Sequence, residues 1–251
     1  MYPTETIELP SKGLFYEESN PLSSGKVELI QPTAKHEDIL TSRNLISKGI
    51  VIDELLKELL VNKDINYDTL LSLDKSAIII AARILLYGSK YEAKTNCSAC
   101  GETNLMEINL TDLEVKEVDM TSFTPGINEF EFELPISKSK IKFKLLTVAD
   151  ELSISKDIKL MKKNFVKRDA EVTTRLSYII TNYDGELSRQ KIKQKVRDEM
   201  NTQDVAAFKS HLAKNFPGID DKVLFECNFC EHSEAITLPM DVNFFWPSSR
   251  E

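Results

Sequence analysis

Two CxxC pairs, CSAC at positions 97–100 and CNFC at positions 227–230, use all four cysteines of a 251-residue chain. If they form one site, segments separated by about half the chain must meet. A CxxC on a tight turn points both sulfurs to one side. Two such turns face to face supply four thiolates at tetrahedral corners. Zinc suits that set, because it accepts sulfur and needs no redox change. Both pairs read as strand, turn, strand: KYEAKT precedes the first and TNLMEINL follows it, while KVLFE and EAITLPM flank the second. Gly101, directly after Cys100, suits the unusual backbone of a knuckle.

Other uses of the cysteines fit less well. A thioredoxin-like redox pair belongs at a strand-to-helix junction, and both pairs here lie between strands. Four unrelated buried thiols would not fall into matched pairs. His232 could replace one sulfur, but four cysteines already complete a shell. The expected ligand set is Cys97, Cys100, Cys227 and Cys230 around a structural Zn2+, a split zinc ribbon joining the two halves of the chain. A closed four-sulfur shell leaves no position for water or substrate, and its binding free energy becomes folding free energy.

No other catalytic grouping emerges. His36, His211 and His232 fall on separate predicted elements, none beside a serine or cysteine nucleophile. There is no Gly-rich phosphate loop among only eight glycines. The expectation is a protein that is not an enzyme and takes no small-molecule substrate.

Composition narrows the partners. Net charge is −8, from 32 basic and 40 acidic side chains, which opposes general nucleic-acid binding. One local exception is KDIKLMKKNFVKR, Lys156 to Arg168, with six basic residues and one acidic. It reads as a solvated helix face, with a phosphate contact as the alternative. No apolar run approaches the roughly 18 residues of a membrane span. MYPTETIELPSKG lacks the basic start and apolar core of a signal peptide. A reducing cytoplasm is therefore expected, where structural disulfides are uncommon.

The pattern along the chain predicts an α+β fold of helical segments plus β-hairpins. Residues 1–33 read as extended, with four prolines arguing against helix. Residues 34–110 are helical and end in the first knuckle. Thr33 caps a helix that Gly49 closes, Ile52, Leu55, Leu56, Leu59 and Leu60 form one stripe, and Asp74 to Gly88 is apolar almost all round. Arg83 interrupts that last surface, and a buried arginine needs a partner; an acidic side chain in the amino-terminal helices is expected. Residues 111–149 hold a hairpin with Phe130, Phe132, Leu134 and Ile141, Phe143, Leu145 on one face. Residues 150–220 are helical, with Thr173 to Tyr183 read as helix over strand. Residues 221–251 carry the second knuckle and an aromatic tail. There Phe244, Phe245 and Trp246 are either partner-binding anchors or a lid folded back onto the core. The five regions form one unit or two intimately packed halves.

Several stretches together resemble a known family. They are LPSKG at Leu9 to Gly13 with Tyr16, QPTAKHEDIL…LISKGIVIDELL from Gln31 to Leu56, RILLYGSKYEAKTNCSACG from Arg83 to Gly101, FEFELP, and the closing FFWP. The chain is similar in these to the baseplate hub assembly proteins of T4-like, or T-even, contractile-tailed bacteriophages. The likeness is clearest from Leu9 to Leu146 and at the second CxxC and tail; Asp150 to Asp220 adds little. It implies a late viral protein that helps build the baseplate hub by binding other hub proteins in the host-cell cytoplasm. Departure before maturation, as a chaperone, and retention in the virion are both compatible with it. The alternative is a nucleic-acid-binding zinc-ribbon accessory protein using Lys156 to Arg168.

Overall fold

The computed structural model describes residues 3–163, 170–238 and 242–246. Prolines keep the start of the chain extended, as expected. Strand β1 (Thr4–Glu8) pairs antiparallel with β2 (Lys26–Ile30), Thr4 opposite Ile30. The connection folds back tightly at Gly13. Its φ is +79°, and a Cβ there would sit 2.2 Å from the Ser23 carbonyl oxygen, so no other residue fits.

The helix expected to start after Thr33 divides in two, α1 (Ala34–Leu40) and α2 (Arg43–Lys48), with the break at Thr41 and Ser42. The Thr33 amide donates to His36 Nδ1 at 2.9 Å to cap α1. Gly49, at φ +71°, closes α2. Helix α3 (Val51–Leu59) buries Leu55, Leu56 and Leu59 on the predicted stripe. Helix α4 (Ser72–Tyr87) is buried on several sides, through Ala77, Ile78, Ile79, Ile80, Ala82 and Arg83.

The first turn of α4 explains the LPSKG…Y pattern. The buried Asp74 carboxylate accepts from the Ser11 amide at 2.9 Å, the Ser11 hydroxyl at 2.7 Å and the Tyr16 hydroxyl at 2.6 Å. Tyr16 oxygen in turn accepts from the Leu71 amide at 3.0 Å. Burial pushes the Asp74 carboxyl up, while the bonds from Tyr16 and Ser11 pull it down. The network latches the extended start of the chain onto the central helix.

Arg83 corrects the expectation of an acidic partner. Its Nε donates to the Phe244 carbonyl at 2.9 Å, and its terminal nitrogens to the carbonyls of Gly88 at 3.1 Å and Lys90 at 3.3 Å. A guanidinium carries five N–H groups in a planar fork, so carbonyls that the end of α4 leaves open can satisfy it. The contact ties the tail to α4. Phe244 and Phe245 are fully buried, and Phe244 packs edge-on against Tyr91 with ring centroids 4.9 Å apart. Of the three aromatic residues considered as partner anchors, these two therefore sit in the core, where an approaching protein cannot reach them. Trp246 is half-buried against the same core. The rest of the tail, beyond Trp246, lies outside the described residues.

After α4 the hairpin β3 (Lys90–Asn96) and β4 (Thr103–Asn109) carries the first CxxC at its turn. Strands β5 (Phe130–Glu133) and β6 (Lys140–Phe143) pair as the predicted hairpin. Helix α5 (Val148–Lys163) covers the first part of the basic stretch; residues 164–169 lie outside the described residues, and with them the rest of that stretch.

Thr173 to Tyr183 is not all helix. After α6 (Glu171–Ile179), strand β7 (Ile180–Tyr183) adds to the far edge of β6. The free edge of β6 offers backbone partners that a continued helix could not use. Helix α7 (Arg189–Asp198) follows, then α8 (Thr202–Asn215), capped by the Asn201 side chain on the Asp204 amide at 2.9 Å. The hairpin β8 (Lys222–Glu226) and β9 (Ser233–Thr237) carries the second CxxC.

The result is α+β, with helices and four small antiparallel sheets among the described residues. Rings from distant segments share one core: Phe15 meets Phe123 at 5.2 Å, and Phe130 meets Phe216 at 4.8 Å. Among the described residues no helix is long and apolar enough to cross a membrane.

Candidate metal centre

The two hairpins meet at their turns. Cys97 Sγ lies 3.7 Å from Cys230 Sγ, and Cys100 Sγ lies 3.6 Å from Cys227 Sγ. All four sulfurs fall within 4.8 Å of one another. A disulfide needs about 2.05 Å, so these contacts are not bonds. A tetrahedron with metal–sulfur distances of about 2.3 Å has edges of about 3.8 Å. The two cross-hairpin distances are close to that figure, and the structure brings together all four cysteines singled out from sequence.

Local backbone explains how each turn presents its sulfurs. In the first knuckle the Cys97 amide donates to the Glu102 carbonyl and the Gly101 amide to the Cys97 carbonyl, both at 2.9 Å. Gly101 takes φ +77°, as its position suggested. In the second knuckle the Cys227 amide donates to the His232 carbonyl at 3.0 Å. The Phe229 amide points at Cys227 Sγ, 3.4 Å away.

Asn104 was not singled out from sequence, yet it stitches the two knuckles together. It is almost fully buried. Its side-chain amide donates to the Glu102 carbonyl at 3.0 Å and contacts Cys227 Sγ at 3.5 Å. Its carbonyl oxygen accepts from the Asn228 amide at 2.7 Å. The available signal was a polar residue at an inward position of an alternating strand, in phase with Met106 and Ile108. Ser98 makes a second link: its hydroxyl donates to Glu234 at 2.7 Å and lies 3.0 Å from His232 Nε2. His232 thus engages the serine, outside the four-sulfur cluster.

The electrostatics suit a cation. At Cys227 burial opposes ionisation, but the amides of Phe229 and Cys230, the Asn104 amide and the Cys100 thiol all favour the thiolate and bring it down to about 6. At Cys100 the backbone at Glu102 favours the thiolate, but burial and the other three sulfurs outweigh it and push the thiol up to about 12. At Cys230 the backbone at His232 and the Cys100 thiol favour the thiolate, and burial with the neighbouring sulfurs of Cys227 and Cys97 outweighs them, so that thiol is raised as well. Four thiols this close cannot all ionise unaided. A divalent cation shared among them removes the conflict. The donor set and its spacing therefore fit a soft, tetrahedral metal ion.

A family model described as T4 bacteriophage base plate protein matches residues 4–246, a span that contains both hairpins, the Asp74 latch and the buried phenylalanines. No curated protein and no solved structure matches the chain.

Proposed function

We propose that this chain, which belongs to the T4 bacteriophage base plate protein family, is a baseplate hub assembly factor. In this reading it is not an enzyme. It acts in the infected host's cytoplasm through contacts with other hub proteins, and the four cysteines hold a structural Zn2+ that completes its zinc-ribbon-like fold. The observation that carries the assembly role is the family match, which runs over nearly the whole chain. The sulfur geometry supports the metal and its structural character, because four protein ligands leave no site for a reactant.

The nucleic-acid alternative finds little support at the ribbon. The two hairpins, residues 90–109 and 222–237, carry three basic and six acidic side chains. Such a surface repels phosphate.

Co-expression with candidate hub subunits, followed by size-exclusion chromatography, tests the assembly role; failure to co-elute with every hub subunit would end it. Mass spectrometry of purified virions then separates a chaperone that leaves from a subunit that stays. Metal analysis should return one zinc per chain, falling together with folding yield in Cys97→Ser or Cys227→Ser. Salt-sensitive binding to single-stranded DNA would favour the alternative.

A further inference from the structure

Helix α5 keeps its carboxylates on a different side from Lys156 and Lys159. Asp150 pairs with Lys144 at 2.7 Å, Glu151 with Arg175 at 2.6 Å, and Asp157 accepts from the Tyr178 hydroxyl at 2.9 Å, so all three are used inside the fold. Another stripe, spaced by three or four residues, presents Leu152, Lys156, Lys159 and Leu160. The end of α2 lies alongside it. A Cβ on Gly49 would come 3.9 Å from Lys159 Nζ, so the ammonium of Lys159 reaches across to the end of α2. Lys48 and Ile50 complete an open groove of about 410 Å³.

The lining has one sign of charge. Among the described residues three lysines and no carboxylate border it, in a chain whose net charge is −8. None of the three is ion-paired among the described residues. Beneath them Leu152 is 42% exposed and Leu160 50%. A merely solvated basic face has no use for two exposed leucines on the same stripe. A phosphate backbone would meet the lysines and leave the leucines wet; strands of nucleic acid are gripped by stacking rings, and among the described residues no ring lines this groove.

We propose that this groove docks an acidic, amphipathic segment of a partner protein. Its carboxylates would face Lys48, Lys156 and Lys159, and its apolar side chains would cover Ile50, Leu152 and Leu160. The proposal deepens the assembly reading by naming a contact surface, and rests on it only in taking the partner to be a baseplate component.

The first test uses the full chain and a fluorescein-labelled peptide of about four helical turns, with leucine along one face and glutamate along the other. Fluorescence anisotropy should show saturable binding that weakens at least about tenfold in K156E/K159E and several-fold in L152S/L160S. The substituted side chains are exposed, and thermal melting controls for the fold. Absence of binding, or binding indifferent to both variants, overturns the proposal. So does tighter binding of a mixed-sequence single-stranded DNA that the same lysine reversals abolish.

The second test acetylates lysines in the co-expressed hub complex. Protection of Lys48, Lys156 and Lys159 together supports the groove. If the chain joins the complex while all three react as in isolation, the groove is excluded and the assembly role stands. If the chain joins no complex yet binds the peptide through these lysines, the assembly role falls and the groove stands.

Discussion

The two CxxC hairpins converge on the same four sulfurs from unequal footings. The first pairs over seven residues on each strand and buries Tyr91, Ala93, Asn104 and Ile108 on its inner face. Tyr91 also carries the ring of Phe244, and Arg83 bonds to the carbonyl of Lys90 at the base of the hairpin. The second pairs over five residues on each strand and fully buries only Phe225. Leu224 and Phe229 are each 64% exposed. Two hairpins of similar sequence pattern therefore differ in what holds them. One stands broadly on the core, and the other touches it only through Val223 and the adjoining Leu238, relying otherwise on Phe225, Asn104 and the shared sulfurs.

Removing the metal proposed at the sulfurs is the strongest way to break that comparison. Structural zinc contributes about 10–16 kcal/mol in small finger peptides, as much as a whole domain's net stability of about 5–15 kcal/mol. With a tight chelator, or in Cys227→Ser, amide hydrogen exchange over residues 222–237 should lose most of its protection while residues 90–109 keep part of theirs. Equal loss in both hairpins would mean that the first has no independent footing.

Next in size is Phe225→Ala, expected to cost about 3–5 kcal/mol by emptying a core position. Leu224→Ala, on the opposite face of the same strand, should stay within about 0.5 kcal/mol. Chemical denaturation of the metal-loaded protein reads both. Similar costs at the two positions would show that the second hairpin has no inner face.

Asn104→Ala sharpens the comparison at the bridge itself. It leaves the Asn228 amide without its partner and the Glu102 carbonyl with only the Cys97 amide, at about 1–3 kcal/mol, and should weaken metal binding about 10–100-fold. Competition with a chromogenic chelator measures the affinity. Unchanged affinity would remove Asn104 from the metal's support.

The smallest effect separates the hairpins from the body beneath them. Burial lowers the pKa of His36, against a smaller favourable contact with the Thr33 backbone, and burial lowers that of His211. A base whose folded pKa is depressed binds fewer protons in the folded state between its folded value and the unfolded value of about 6.5. Its contribution is complete above about pH 6.5 and declines as pH falls through the folded value. Denaturation midpoints should therefore drop on acidification from about pH 7, and less so in His36→Gln. A rise on acidification would reverse the sign and overturn this reading.

Much of this could be read from the chain because the signals were local. Period-two alternation marked the arms of the Phe130–Leu145 hairpin, the CxxC turns marked the other two, and Gly49 and Gly101 marked turns that need positive φ. The apolar run after Asp74 marked the buried helix. What escaped depended on neighbours in space. Ile180 to Tyr183 read as the end of a helix, and the free edge of β6 made it a strand. Arg83 needed some partner, but only the return of the tail put the Phe244 carbonyl within reach. Asn104 looked like an ordinary strand residue until the second knuckle stood opposite.

By itself, then, the sequence determined that four cysteines were available in two turns of the right type, because CxxC geometry is a property of a few adjacent residues. It also carried the α+β character and the family, which reside in patterns along the chain. Only the tertiary structure decided that the sulfurs of the two turns stand 3.6–3.7 Å apart in cross-hairpin pairs. Closing so long a loop costs entropy that no local pattern reveals. The aromatic core, the Asp74 latch and the buried tail offset it, and each of these joins residues that are remote in sequence.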